Sequence, residues 1–277
     1  MRLVKCAMIW IIVISIMVIS GCSSPTTATP KPNPLHDISF EYSESDVLSD
    51  SEYSELEAII DGVQPPDMPW MTYVHYASAR EEVKSVCEVG LRGIPVLIDK
   101  FHILNAPEPP RDKAMFLHYS IAALLRIQQS TWAYCPEEYF LNILLEAKTK
   151  INDIIASDED LTQKMSLLRE YGVVSIPYVV DEIKKGNTEY EVFFVEIGLH
   201  LSPVEFADRI ELPINYPSGN VLSPKVDSYE ARRKRVRTEG SPENFDYKVW
   251  LKENEDDLKI LFKYLDAYCA EYEANNK

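Results

Sequence analysis

The sequence lacks the short patterns by which catalytic and metal sites are usually read: it has no glycine-rich phosphate loop, no HExxH, no GxSxG, no EF-hand loop and no CxxC. Cysteine is scarce, five in 277 residues. Cys6 sits in the N-terminal stretch and Cys22 closes it, so Cys87, Cys135 and Cys269 are left for the folded part. Three thiols exclude a framework of several disulfides and leave either one pair with a free thiol or buried thiols acting as small hydrophobes. Positive charge is short as well, with 28 Lys and Arg against 44 Asp and Glu. A formal net charge of −16 repels a phosphate backbone at long range, so no nucleic-acid partner is expected. No cofactor, metal or catalytic residue is indicated, and the chain is not expected to be an enzyme.

What is present first is an address. Arg2 and Lys5 precede an apolar run from Ala7 to Ile19, which is short of the roughly 20 residues a membrane-spanning helix needs and suits a secretory signal. Val18, Ile19, Ser20, Gly21 and Cys22 follow in the order of the lipobox and resemble the processing site of bacterial lipoproteins. The resemblance implies cleavage before Cys22, lipidation of Cys22, and a protein held on the outer face of a cell membrane or in the periplasm. Residues 1–21 would then be removed with Arg2 and Lys5 and no acidic residue, taking the net charge from −16 to −18. Residues 22–48 are rich in Pro, Ser and Thr without a sustained apolar period, and read as a disordered tether.

Beyond residue 49 the apolar residues recur with helical spacing, so the fold class expected is all-α. One stretch is used twice. Gly90 to Lys100 reads GLRGIPVLIDK and Gly172 to Glu182 reads GVVSIPYVVDE, 82 residues apart, or twice a period of about 41. In both, glycine ends one helix and Ile-Pro opens the next, as glycine's freedom and proline's fixed φ favour. These pairs resemble HEAT-like or armadillo-like repeats, which implies a short α-solenoid over residues 49–212. An irregular helical bundle with a chance recurrence is the alternative. Ser202-Pro203-Val204-Glu205 reads as a capping box with proline at the first helical position. Residues 213–240 read as a long loop, and residues 241–277 as an additional C-terminal helix packed on the repeats, most simply over their open end.

Few residues are left to carry function. Tyr190 to Leu201 reads as one apolar inner helix, on which Glu196 and His200, four apart, would share a face as a polar pair in the core. That pair satisfies itself or, in a rival reading, forms an envelope enzyme's site. Arg232, Arg233, Lys234, Arg235 and Arg237 form a basic run that suits an anionic surface, or is simply a solvated loop. Trp70, Trp132 and Tyr178 lie at helix starts or turns and are candidate anchors for a partner. The function expected is a lipid-anchored interaction or scaffold protein of the cell envelope, attached to the membrane through Cys22 and binding an unidentified envelope protein or peptide. A structural or regulatory lipoprotein remains a further alternative.

Overall fold

The computed structural model describes residues 34–63, 78–104, 117, 120–127, 136–209 and 245–275. The chain divides into two units, Met1–His36 and Asp37–Lys277. The fold is all-α, and the described residues contain no strand. Among the described residues no helix is long and apolar enough to cross a membrane.

Helix α1, Asp50–Gly62, starts at a capping box in which the Ser49 hydroxyl accepts from the Glu52 amide while the Glu52 carboxylate accepts from the Ser49 amide. Helix α2, Ser78–Cys87, runs into the first glycine turn, and α3, Ile94–Leu104, leaves it. The long helix α4, Pro136–Ala156, is followed by α5, Leu161–Leu168. Asp160 caps α5 by accepting from the Gln163 amide. The second glycine turn leads into α6, Ile176–Lys184.

The two turns share their backbone plan. Gly90, φ +66°, precedes the 3-10 turn Leu91–Gly93, and Gly172, φ +51°, is the first residue of the 3-10 turn Gly172–Ser175; each turn passes directly into the Ile-Pro helix. Burial repeats in the same register. Ile94, Leu97, Ile98 and Phe101 of α3 are buried, as are Ile176, Val179, Val180 and Ile183 of α6. Spacing of three, four and seven puts each set on one helix face, where every side chain contributes about 1.5–3 kcal/mol by leaving water.

The stretch read as one helix from Tyr190 to Leu201 is broken. A 3-10 turn, Thr188–Glu191, leads into the short α7, Val192–Glu196, and Gly198 at φ +75° ends it in a Schellman motif, with the Leu199 amide donating to Phe194 and the Gly198 amide to Val195. Gly198 therefore stops a helix inside the apolar stretch. Helix α8, Pro203–Arg209, then starts at the expected capping box: the Ser202 amide donates to the Glu205 carboxylate and the Glu205 amide to the Ser202 hydroxyl.

Residues 120–124 are helical and end in a Schellman motif whose left-handed residue is Arg126, φ +57°, in place of the usual glycine. The side chain accounts for the exception. Arg126 is buried and donates to the carbonyls of Leu201 and Ser202 at 2.8 and 3.0 Å, with its guanidinium 5.1 Å from the Phe206 ring. It joins residues 120–127 to the start of α8, and burial lowers its pKa to about 10. Helix α8 also packs directly against α2. In a strictly stacked array each helix pair touches its sequence neighbours. The α2–α8 contact brings an early and a late helix together, as a bundle does.

The C-terminal region is two helices, α9, Tyr247–Glu253, and α10, Glu255–Asn275, broken at Asn254. Tyr247 stacks on Phe194 at 4.4 Å and 6°, while α10 packs on the first turn, on α3 and on α4. The arm thus runs from the last described pair back to the first turn, instead of covering an open end alone.

Residues 38–48, expected within the tether, are docked along α10. Phe40 meets Phe262 edge-on at 5.8 Å, the Tyr42 hydroxyl donates to Asp266, and Lys263 donates to the carbonyls of Ser43 and Glu44. Ile38 is 2% exposed, and its carbonyl accepts from Lys184 of α6 at 2.6 Å. This segment, termed the strap below, carries Ile38, Phe40 and Tyr42 two apart, the first buried, the second half-buried and the third exposed.

Candidate functional site

Where the strap, α4, α6 and the middle of α10 meet, they leave an open groove of about 170 Å³. Its walls are apolar and aromatic: Phe40 from the strap, Leu144 from α4, Val174 and Pro177 from the second turn, and Phe262 and Leu265 from α10. Polar groups stand among them, namely Tyr42, Lys148, Tyr178, Asp266 and Cys269. The volume accommodates one large side chain. It lies below the roughly 300–1,000 Å³ of a typical small-molecule pocket.

Each wall has a local cause. Pro177 fixes the start of α6, so the first turn of that helix is set against α4 and α10, and Tyr178 follows it half-buried. Ser175, buried beneath, donates to the Leu168 carbonyl at 3.0 Å and holds the turn closed. Tyr42 is raised to about 12 by its hydrogen bond to Asp266 and by burial, and burial raises Tyr178 as well. Cys269 is raised to about 11, chiefly by burial. The hydroxyls and the thiol therefore stay protonated at neutral pH, when they donate hydrogen bonds and make poor nucleophiles.

A second polar cluster joins α1, α3 and α10. Asp99 accepts from Tyr53 at 3.0 Å and from Tyr264 at 2.5 Å, and Tyr268 is hydrogen-bonded to His102. Burial and Asp99 together raise Tyr53 to about 12 and hold Tyr264 well above the ordinary tyrosine range. Both carboxylate oxygens of Asp99 are engaged, so the cluster serves to join three helices. Cys87, buried and raised to about 12 by that burial, is equally unsuited to attack. Among the described residues no group of three His, Cys, Asp or Glu side chains is placed to hold a metal ion.

Of the residues singled out in the sequence, Tyr178 lies in the groove. Glu196 and His200 do not stand one turn apart on a single helix as expected: α7 ends at Glu196 and Gly198 turns the chain between them. Glu196 reaches Arg169, 3.2 Å away and 2% exposed, and the His200 ring lies 6.0 Å from Phe245. Cys22, Trp70, Trp132, Cys135 and the basic run Arg232, Arg233, Lys234, Arg235 and Arg237 lie outside the described residues. Sequence reasoning missed Phe40, Tyr42 and the α10 wall. The alternation of Ile38, Phe40 and Tyr42 was the available signal, lost among prolines and serines.

Compared with protein-family models, with curated proteins and with solved structures, the chain matches none.

Proposed function

We propose that this protein is a lipid-anchored interaction module outside the cytoplasm, attached through Cys22 and binding a protein or peptide segment of the cell envelope. The observation that carries the reading is the groove at the second glycine turn. It is open, aromatic and sized for a side chain, and its Tyr42 hydroxyl and Cys269 thiol are held protonated. Such a site recognises an anchor residue of a partner more readily than it transforms a small molecule. The lipobox order from Val18 to Cys22 supports the address, and the strong net negative charge suits a soluble part that stands off an anionic surface.

The reading is tested by replacing Tyr178 with a photo-crosslinking amino acid in living cells. A discrete adduct is expected from this position and none from exposed Glu159. Equal labelling from both positions, or none from either, removes the groove as the binding site. The anchor is tested separately: Cys22→Ser is expected to abolish incorporation of labelled fatty acid and to move the chain from the detergent phase to the aqueous phase. Retention in the detergent phase without the fatty acid would rule out lipidation as the attachment.

A further inference from the structure

We infer that the groove takes a basic side chain of the partner, arginine in preference to lysine, with its stem on the apolar walls and its charged head at Asp266 and the aromatic rings beside it. The inference rests on the groove being an interaction site and names the chemistry of the residue it anchors. Four aromatic side chains from three elements line the groove: Phe40 and Tyr42 of the strap, Tyr178 of α6 and Phe262 of α10. The face of such a ring attracts a cation through its quadrupole.

A carboxylate completes the site. The Tyr42 hydroxyl donates to Oδ2 of Asp266, and among the described residues Oδ1 of that side chain accepts no hydrogen bond. Tyr178 lies within the field of the same carboxylate, for its pKa is raised by burial and then by Asp266. Asp266 is exposed, while Leu144, Pro177 and Leu265 supply apolar wall. This division suits a long basic side chain, which buries its methylenes and keeps its charge at the water.

Other occupants fit less well. An apolar side chain would cover Oδ1 of Asp266 without offering it a donor, and an acceptor left unmade is costly. An acidic side chain would be repelled by Asp266. Lys148 of α4 also lines the groove, but it is exposed and makes no ion pair among the described residues, so its flexible stem is free to carry the ammonium into water. The Asp266 carboxylate is tied in place by Tyr42. Because the groove is open, a cation bound there keeps part of its hydration and avoids the penalty of full burial. Arginine is preferred because its planar, weakly hydrated guanidinium stacks on rings and donates to a carboxylate together, whereas lysine brings a strongly hydrated point charge. The chain's excess of acid, 44 residues against 28 basic, draws basic segments toward it at long range.

The test is an NMR titration of the full-length chain in detergent with two probes of one shape, N-acetylarginine amide and N-acetylcitrulline amide, of which the second has no charge. The methyl groups of Leu144, Val174 and Leu265 report on the groove. Saturable shifts of these methyls are expected with the arginine probe, at an affinity about fivefold or more above that for citrulline, as a cation on aromatic rings and a carboxylate gives. N-acetyllysine amide is expected to fall between them. Asp266→Asn, which keeps an acceptor for Tyr42, is expected to bring arginine down to the affinity of citrulline, and Lys148→Gln to raise it about twofold. Equal affinities for arginine and citrulline overturn the inference, as do arginine shifts that Asp266→Asn leaves unchanged, or no shift of the groove methyls at all. Lysine binding as tightly as arginine overturns the preference between them. The comparison of probes uses the unaltered chain, so it decides even where a variant fails to fold. A discrete Tyr178 crosslink with equal probe affinities keeps the interaction site and removes its basic anchor. Arginine-specific shifts without a crosslink keep the anchor chemistry and remove the envelope partner.

Discussion

The two glycine turns are the same device in different surroundings. At the first, Arg92 is held between Glu52 of α1 and Asp257 of α10, and Pro95 and Val96 are buried where α10 packs on α3. At the second, the same three register positions are Val174, Pro177 and Tyr178, and all three line the groove. The start of α10 covers one turn; its middle stands beside the other as a wall. A repeated backbone has thus yielded one buried joint and one open site, through the side chains laid on it and the length of the helix that crosses both.

The undersides of the turns differ as well, and here the largest effect is expected. A Cβ on Gly172 would lie 2.1 Å from the Leu125 carbonyl oxygen and 2.7 Å from the Arg126 carbonyl, and the Val173 amide already donates to Leu125 at 2.7 Å. Neither backbone can withdraw. Gly172→Ala therefore adds a steric cost to the positive-φ cost, about 3–5 kcal/mol together. Around Gly90 a Cβ meets nothing within 4 Å, so Gly90→Ala costs the backbone term alone, about 1–3 kcal/mol at φ +66° and ψ −167°. Denaturant midpoints at unchanged m-value check the difference, and equal losses would mean that the second turn is not seated on Leu125.

Exchanging the turns' sequences sharpens the comparison. Gly93 occupies the register position of Ser175, and a Cβ there would fall 2.1 Å from Cγ2 and 2.5 Å from Cβ of Val89. The γ-methyl can rotate away, but the β-carbon is fixed to the backbone. Gly93→Ser is expected to cost about 2–3 kcal/mol by overpacking. A neutral result in thermal or denaturant melts would show that the two turns are interchangeable, contrary to the packing beneath them.

The cover over the first turn depends on how α10 begins, and that dependence is visible in pH. Glu255 is buried, which by itself raises its pKa, but hydrogen bonds from Lys252, Lys259 and the Ser39 amide outweigh burial and bring it from 4.5 to about 2. A depressed carboxylate contributes stability that is fully present above its unfolded pKa and is lost as pH falls through the folded value. The window is therefore from about 4.5 down to about 2, with a loss of about 2 kcal/mol across it. Glu255→Gln should be less stable than the unaltered chain at pH 7, and the gap should close on going to pH 2. A constant gap would assign the loss to packing instead of charge.

These particulars show how far the sequence could be read. Gly90, Gly172 and the two Ile-Pro pairs, the Ser202-Glu205 capping box, and the start of α1 near Ser49 all follow from backbone chemistry confined to a few neighbouring residues, and all appear in the structure. What escaped was set by contacts between distant parts. Gly198 ends a helix inside an apolar stretch, so Glu196 and His200 do not share one helix, and Glu196 reaches Arg169. The strap owes its placement to Phe262, Lys263 and Asp266, more than 200 residues further along the chain, and no local pattern names that partner. Tyr178 was legible as a residue at a helix start; the groove around it was not, because two of its walls come from the strap and from α10.

The smallest expected effect tests the second turn from within. Ser175 is fully buried and donates to the Leu168 carbonyl at 3.0 Å, but that carbonyl also accepts from the Tyr171 amide at 3.1 Å. Ser175→Ala therefore removes one of two bonds and leaves no orphaned acceptor, so the cost is about 1 kcal/mol. Ser175→Gly, which gives the second turn the residue of the first, adds the conformational freedom of glycine in the unfolded chain and costs about 1–2 kcal/mol. The ordering matters more than either value. If alanine is the worse replacement, restricting the backbone is not what this position contributes. If glycine is the worse by about 0.5–1 kcal/mol, the side chain at this position stiffens the approach to Pro177 and so helps to fix the wall that carries Tyr178.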